Sequence, residues 1–172
     1  MSINPPKYTY DDYKLWQGDW ELIDGYPFAM APSPYGKHQK IMSRLIHVFS
    51  QELEDCDCDV YPELDLIIDE KNVVRPDLAL YCEEVEKYSK TMPKLVVEII
   101  SKSSSEKDED IKFKLYEKEG ILYYIIVYPD FEKVRVFKLV DEIYKKVYEG
   151  DGKFDFKFDE CEIKIDFFKI FK

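Results

Sequence analysis

No stretch of this chain approaches the roughly 20 consecutive apolar residues that would span a bilayer as a helix. The opening "MSINPPKYTY" has no basic region followed by an apolar core, so no secretory signal is read there and a cytoplasmic location is the default expectation. Histidine is scarce, with His38 and His47 the only two, and no C-x-x-C pair occurs. The four cysteines, Cys56, Cys58, Cys82 and Cys161, therefore match no local zinc pattern, and without an export signal they are expected to remain free thiols with no function. Repeats and low-complexity linkers are missing as well, so residues 1–172 are expected to form a single domain. Excess positive charge is also missing. The net charge is −11, whereas a nucleic-acid binder normally carries a basic surface that displaces counterions from phosphate. The deficit is uneven: residues 1–100 hold 10 Lys and Arg against 19 Asp and Glu, while residues 101–172 hold 15 against 17. Carboxylates gathered around a divalent cation would add to such an excess, as would an ordinary solvated acidic surface.

What the chain does have is a globular composition, 45% hydrophobic with 14 Tyr and 11 Phe, and enough length to bury a core. Thr9 and Asp12 mark a helix start that runs to about Trp16, and Asp24-Gly25 between two short apolar runs signals a β-hairpin. Ser33-Pro34 opens a second helix, amphipathic from about Gly36 to Glu54, because Ile41, Met42, Leu45, Ile46, Phe49 and Leu53 recur at helical spacing. The residues "EKN" at 70–72 separate an alternating run of Leu64, Leu66 and Ile68 from a second run over Val73 to Tyr81, which predicts two strands joined as a hairpin. Beyond the serines at 103–105, "EKDEDIKFKLYEKEG" has helical composition and ends at Gly120. "ILYYIIVYP" reads as a buried strand, and "KVRVFKL", "EIYKKVYE" and "KFDFKFDECEIKIDFF" alternate as a meander. Its phenylalanines, Phe154, Phe156, Phe158, Phe167 and Phe168, are either core or a dimer surface. This order predicts an α/β (α+β) protein around one mixed sheet flanked by helices, with an added hairpin and a C-terminal β-meander.

One residue breaks the pattern. In "KLVVEIISKSSS" Glu98 stands inside the apolar run Leu95, Val96, Val97, Ile99 and Ile100, which is short and β-branched enough to be a strand buried on both faces. Burying an ionised carboxylate alone costs several kcal/mol or more, so a proton, a cation or a metal must compensate it. In "VVRPDLALY" the strand alternation sets Asp77 with Ala79 and Tyr81 on the face opposite Leu78 and Leu80. Asp77 either pairs with Arg75 or converges with Glu98 from a neighbouring strand. Two converging carboxylates repel unless they share a proton or a divalent cation, and a hard ion such as Mg²⁺ takes such oxygen ligands.

The arrangement P-D, 20 residues, then E-x-I at the end of an apolar strand resembles the PD-(D/E)XK nuclease signature. Together with "WELIDG" at 20–25, "SPYGKHQKI" at 33–41, "RPDLALY" at 75–81, "LVVEIISKSS" at 95–104 and "DIKFKLYEKEGILYYIIVYP" at 110–129, it resembles the Uma2 (Uma-two) family of restriction-endonuclease-like proteins. The serial order of these pieces is the specific part of the match. Where the signature has lysine two residues after the glutamate, this chain has Ile100. The resemblance implies a lysine moved to the following helix, here Lys112 in K-x-x-x-Y with Tyr116, and Lys102 is its rival. The alternative for Lys112 is a surface lysine paired with Asp108, worth only about 0.3–0.5 kcal/mol.

The same resemblance implies roles for Glu21, otherwise a solvent-facing hairpin residue, and for His38, otherwise a helix-surface residue. Asp65 and Glu63 share a strand face and add acidity without an assigned role. The implied function is a Mg²⁺-dependent endonuclease, with Mn²⁺ a substitute, hydrolysing phosphodiester bonds of DNA. Its catalytic residues would be Asp77, Glu98, Lys112, Glu21 and His38, and its metal ligands Asp77, Glu98 and the carbonyl of Ile99. Cutting both strands needs two such sites, which a homodimer would provide. The rival class is a binding or interaction module that keeps the scaffold without turnover, favoured by the acidity and opposed by the retained charges. Thiol-dependent hydrolysis through Cys82 or Cys161 with His38 or His47 has no local motif behind it.

Overall fold

The structure, a computed structural model, describes residues 6–30, 36–100 and 106–172, with the backbone alone described at 106–109. Ser33-Pro34, Lys102 and the Asp108 side chain therefore lie outside the described residues and groups. The chain opens with a short helix α1 (Tyr10–Tyr13), which ends earlier than Trp16, and Asp12 Oδ2 accepts bonds from both the amide and the hydroxyl of Thr9. The predicted hairpin follows as β1 (Trp20–Ile23) and β2 (Tyr26–Ala29). Asp24 and Gly25 turn between them with φ of +50° and +78°, which a tight two-residue hairpin requires and which glycine meets without a Cβ clash. Helix α2 (Gly36–Glu52) buries Ile41, Met42, Leu45, Val48 and Phe49, close to the stripe read from the sequence.

The next strands are β3 (Asp59–Pro62), β4 (Leu66–Asp69), β5 (Asn72–Val74) and β6 (Leu78–Tyr81). Here the sequence reading needs correction: the run from Val73 to Tyr81 is two strands in two different sheets. Arg75-Pro76-Asp77 lies between them, and Pro76, which has no N–H for a ladder bond, sits at the break. β4 and β5 pair as the expected hairpin, but within a small sheet of order β2-β1-β5-β4, whereas β6 pairs with β3. Then come β7 (Leu95–Ile99), α3 (Glu106–Lys118), β8 (Tyr123–Tyr128), β9 (Lys133–Val140), β10 (Ile143–Gly150), β11 (Lys153–Lys157), β12 (Glu162–Asp166) and α4 (Phe168–Phe171).

The main sheet has the order β10-β9-β8-β7-β6-β3 and is mixed. β7 and β8 run parallel through the α3 crossover, and their neighbours run antiparallel. Side-chain alternation along β7 divides the core. Leu95, Val97 and Ile99 face α2 and the β11–β12 hairpin, while Val96 joins Leu115 and Tyr116 of α3 and Ile23, Leu66 and Val74 of the small sheet. A third cluster of Leu22, Ile67 and Val73 is covered by Tyr8, Tyr10, Tyr13 and Trp16. The meander separates into two parts: β9–β10 extend the main sheet, and β11–β12 stand alone as a two-stranded sheet. Phe156, Phe158 and Phe167 are core, Phe154 packs against it, and Phe168 is half exposed.

The cysteines are not free thiols. Cys56 is bonded to Cys161 and Cys58 to Cys82, with sequence separations of 105 and 24. The β3–β6 register, Asp59 opposite Tyr81, sets Cys58 opposite Cys82 one position further on. Packing of the β11–β12 hairpin near the end of α2 brings Cys161 to Cys56. Neither meeting is visible in local spacing. Among the described residues, no helix is long and apolar enough to cross a membrane.

Phe156 is fully buried between Phe49, Tyr123, Phe154 and Phe167, so the hairpin is held chiefly by aromatic packing. Phe156→Ala should cost about 3–5 kcal/mol in urea-denaturation stability. Phe131→Ala, at a side chain 74% exposed, should stay within about 0.5 kcal/mol.

Candidate active site

The β6–β7 register pairs Leu78 with Val97, and one further step puts Asp77 opposite Glu98. The two acids named from the sequence thus meet where β6 begins and β7 ends. Asp77 Oδ2 accepts the amide of Ile99 at 2.6 Å, and Asp77 Oδ1 lies 3.2 Å from His38 Nε2. The proposed ion pair between Asp77 and Arg75 does not form; Arg75 binds Asp65 and Asp19, each at 2.7 Å. That leaves Asp77 turned to the site.

Glu98 is 8% exposed and its Oε1 accepts two bonds from α3, from Lys112 Nζ at 3.0 Å and from the Tyr116 hydroxyl at 2.8 Å. Lys112 and Tyr116 are four residues apart and share one helix face, so a single helix delivers both donors. In the sequence Tyr116 is marked only by its i, i+4 spacing from Lys112 in K-x-x-x-Y. Among the described residues, Glu98 Oε2 takes no bond. Lys112 is a buried bridge, with its side chain 12% exposed and its ammonium 2.8 Å from Glu21 Oε1.

Glu21 lies in β1 and is buried, not solvent-facing, and the same oxygen accepts the Arg75 amide at 2.8 Å. His38 is likewise turned inward, with its Nδ1 buried and without a hydrogen-bond partner among the described residues. Asp65 stands aside, holding Arg75 and Tyr13. The structure brings Glu21, His38, Asp77, Glu98 and Lys112 from five separate segments into one cluster.

Its electrostatics are set by burial. Desolvation pushes the Glu98 carboxyl up to about 7; the Lys112 ammonium opposes this rise, and the charges of Asp77 and Glu21 reinforce it. For Lys112, burial works against the charged form, but Glu98 and Glu21 outweigh it and hold the group protonated well above its ordinary value. Burial is the largest influence on His38 and lowers it, but the bond to Asp77 and the charges of Asp77, Glu63 and Glu98 together outweigh burial, so its pKa is raised. Tyr116 is pushed well up by burial and by Glu98, so it is a donor and not a base.

With three carboxylates against one ammonium, the cluster has two uncompensated negative charges. The raised pKa values of Glu98 and His38 both favour taking up protons against that charge. The carboxylate oxygens of Asp77 and Glu98 are hard donors of the kind a divalent cation takes.

The mixed sheet with a crossover helix folding back over two converging acids defines a restriction-endonuclease-like fold. The chain belongs to the Uma2 family, described as "Putative restriction endonuclease", whose model matches residues 10–153. It is 28% identical over 155 residues to the uncharacterized protein slr1290 of Synechocystis sp. strain PCC 6803, a match spanning 85% of this chain and 78% of that protein. Its fold is similar to the crystal structure of a "putative nuclease belonging to DUF820" from Anabaena variabilis. That match has a TM-score of 0.76 at 19% identity and covers 95% of this chain and 97% of the other.

Because Glu98 rises from an ordinary 4.5 to about 7, the folded chain keeps a proton that the unfolded chain has released. Its contribution to stability is complete below about 4.5 and is lost as pH rises through about 7. In chelator, the stability of the wild type relative to Glu98→Gln should therefore fall across that window and level off on either side. Urea titrations at a series of pH values measure the difference, and a flat profile would rule out the raised carboxyl.

Proposed function

We propose that this protein is a divalent-metal-dependent endonuclease acting on DNA, with Asp77, Glu98 and the carbonyl of Ile99 as metal ligands. The observation that carries the reading is Lys112. It reaches from α3 to within 3.0 Å of Glu98, supplying from the helix the cation that Ile100 does not supply from the strand. When bound, Mg²⁺ polarises the scissile phosphate and lowers the pKa of a coordinated water. Lys112, held protonated by its two acids, is suited to stabilising negative charge at phosphorus and not to taking a proton from water. Glu21 is a positioning residue that fixes the ammonium through its Oε1 and is itself tied to the Arg75 amide. His38 orients Asp77 through Nε2, and in this reading it contacts a phosphate or positions a water. Tyr116 holds Glu98 Oε1, leaving Oε2 for the ion.

The same reading takes residues 1–172 as one domain acting in the cytoplasm, as a homodimer where both strands are cut. A cytoplasmic setting requires the four cysteines to exist there as thiols, since cytosolic disulfides are reduced.

Lys112→Ala should lower Mg²⁺-dependent cleavage of supercoiled DNA by at least about 10²-fold. Asp77→Asn should abolish both cleavage and the rise in melting temperature that Mn²⁺ gives the native protein. Mn²⁺ affinity, measured by calorimetry, should weaken as pH falls below about 7, where a proton competes for Glu98. Wild-type protein that neither binds Mn²⁺ nor cuts DNA would overturn the assignment.

A further inference from the structure

The four cysteines come from three separate stretches of the chain and yet end in one place. The sulfurs of Cys56, Cys58 and Cys161 all lie within 4.8 Å of one another, and Cys82 is joined to Cys58. The two disulfides are therefore neighbours, not staples spread over the fold. A zinc ion held at about 2.3 Å by four thiolates in a tetrahedron sets its sulfurs about 3.8 Å apart. Cys56, Cys58 and Cys161 are already near that scale, while Cys82 is grouped with Cys58 and Glu160, so parting the two S–S bonds must bring Cys82 in toward the other sulfurs.

Rigid elements fix the positions. Cys58 and Cys82 face each other across β3 and β6 with Cα atoms 3.8 Å apart, Cys56 sits two residues before Cys58, and Cys161 directly precedes β12. Cys58 is buried and the other three are half-buried, so water is partly excluded. The surroundings are acidic. Asp57, Asp59, Glu83 and Glu84 line a hollow of about 310 Å³ beside the sulfurs, and Glu160 has a carboxylate oxygen within 4.8 Å of Cys58 and Cys82. Lys94 lies 3.1 Å from Glu160. Four bare thiolates cannot stand together among these carboxylates. They must be protonated, oxidised in pairs or bound to a cation.

We propose that in the reduced chain Cys56, Cys58, Cys82 and Cys161 form a tetrathiolate site for Zn²⁺ that pins the end of α2, the β3–β6 edge and the β11–β12 hairpin together. The two disulfides are the oxidised, metal-free form of the same cluster. Two equivalents of a dithiol reductant, each delivering two electrons and two protons, convert both disulfides to four thiols. Zn²⁺ then displaces the four protons. The site is separate from the carboxylate cluster in ligand chemistry, since thiolates select zinc over magnesium.

The test is a Co²⁺ titration of the full-length protein, reduced with a phosphine and freed of metal under anaerobic conditions. Expected are thiolate-to-cobalt charge-transfer absorption and intense tetrahedral d–d bands that saturate at one ion per chain. Zn²⁺ should bleach them, and Mg²⁺ should leave them unchanged. Asp77→Asn should keep the spectrum, whereas Cys58→Ser and Cys161→Ser should each lose the full-intensity bands. Zn²⁺ should also raise the melting temperature of the reduced wild type and not that of the disulfide form. Reduced wild type without charge-transfer absorption overturns the proposal, whether or not the cysteine variants fold, and so does a spectrum that survives Cys161→Ser. Failure of the nuclease assignment would leave this result untouched, because the readout is thiolate ligation alone.

Discussion

The contact between the Glu98 carboxylate and the Lys112 ammonium is the constraint around which the site is built. A carboxylate at that depth in β7 costs several kcal/mol unless it is compensated, and truncating either partner of such a pair leaves the other charge stranded. Lys112 alone does not complete the compensation, because it also serves Glu21. The hydroxyl of Tyr116 and a proton on Glu98 carry the rest. In this sense the metal-free site is poised. Its buried acids are held by one ammonium, one hydroxyl donor and a carboxyl raised to about 7.

Delivering those groups requires both faces of the main sheet. His38 comes from α2 on one side, and Lys112 and Tyr116 come from α3 on the other. Glu21 arrives from the small sheet packed beside α3. The break at Pro76 is what lets one stretch of chain take part in both sheets. Val74 packs with the small sheet, the Arg75 amide reaches Glu21, and two residues later Asp77 starts the ladder with β7. Arg75 looks from the sequence like a partner for Asp77. Its side chain instead binds Asp65 and Asp19, which keeps its guanidinium away from the acids that would otherwise attract it.

Periodicity carried much of the fold. The α2 stripe, the Asp24-Gly25 turn and the buried strand around Glu98 all follow from side-chain pattern and backbone preference, which are local properties. The site acids were legible because a charge inside an apolar strand has few explanations. What periodicity could not show was pairing at a distance. The split of Val73–Tyr81 between two sheets depends on which neighbours those strands find, and short apolar runs look alike whichever sheet receives them. The cysteines were misread for the same reason: sequence spacing describes ligands brought together by one turn, whereas Cys56, Cys58, Cys82 and Cys161 are brought together by sheet register and hairpin packing.

The position of Lys112 on the helix has a physical consequence of its own. A lysine at position 100 would extend from the same strand face as Glu98, close to the exposed end of β7, and would compete with the apolar cover there. Ile100 instead packs as a half-buried member of the core between the main sheet and α3. From the helix, Lys112 approaches Glu98 across that apolar cover and meets Glu21 on the way, so its ammonium has two carboxylates and little water. Low effective dielectric strengthens both contacts and keeps the charge on nitrogen at neutral pH. A lysine on the helix thus places a positive charge beside the acids while binding the small sheet, through Glu21, to the centre of the main one.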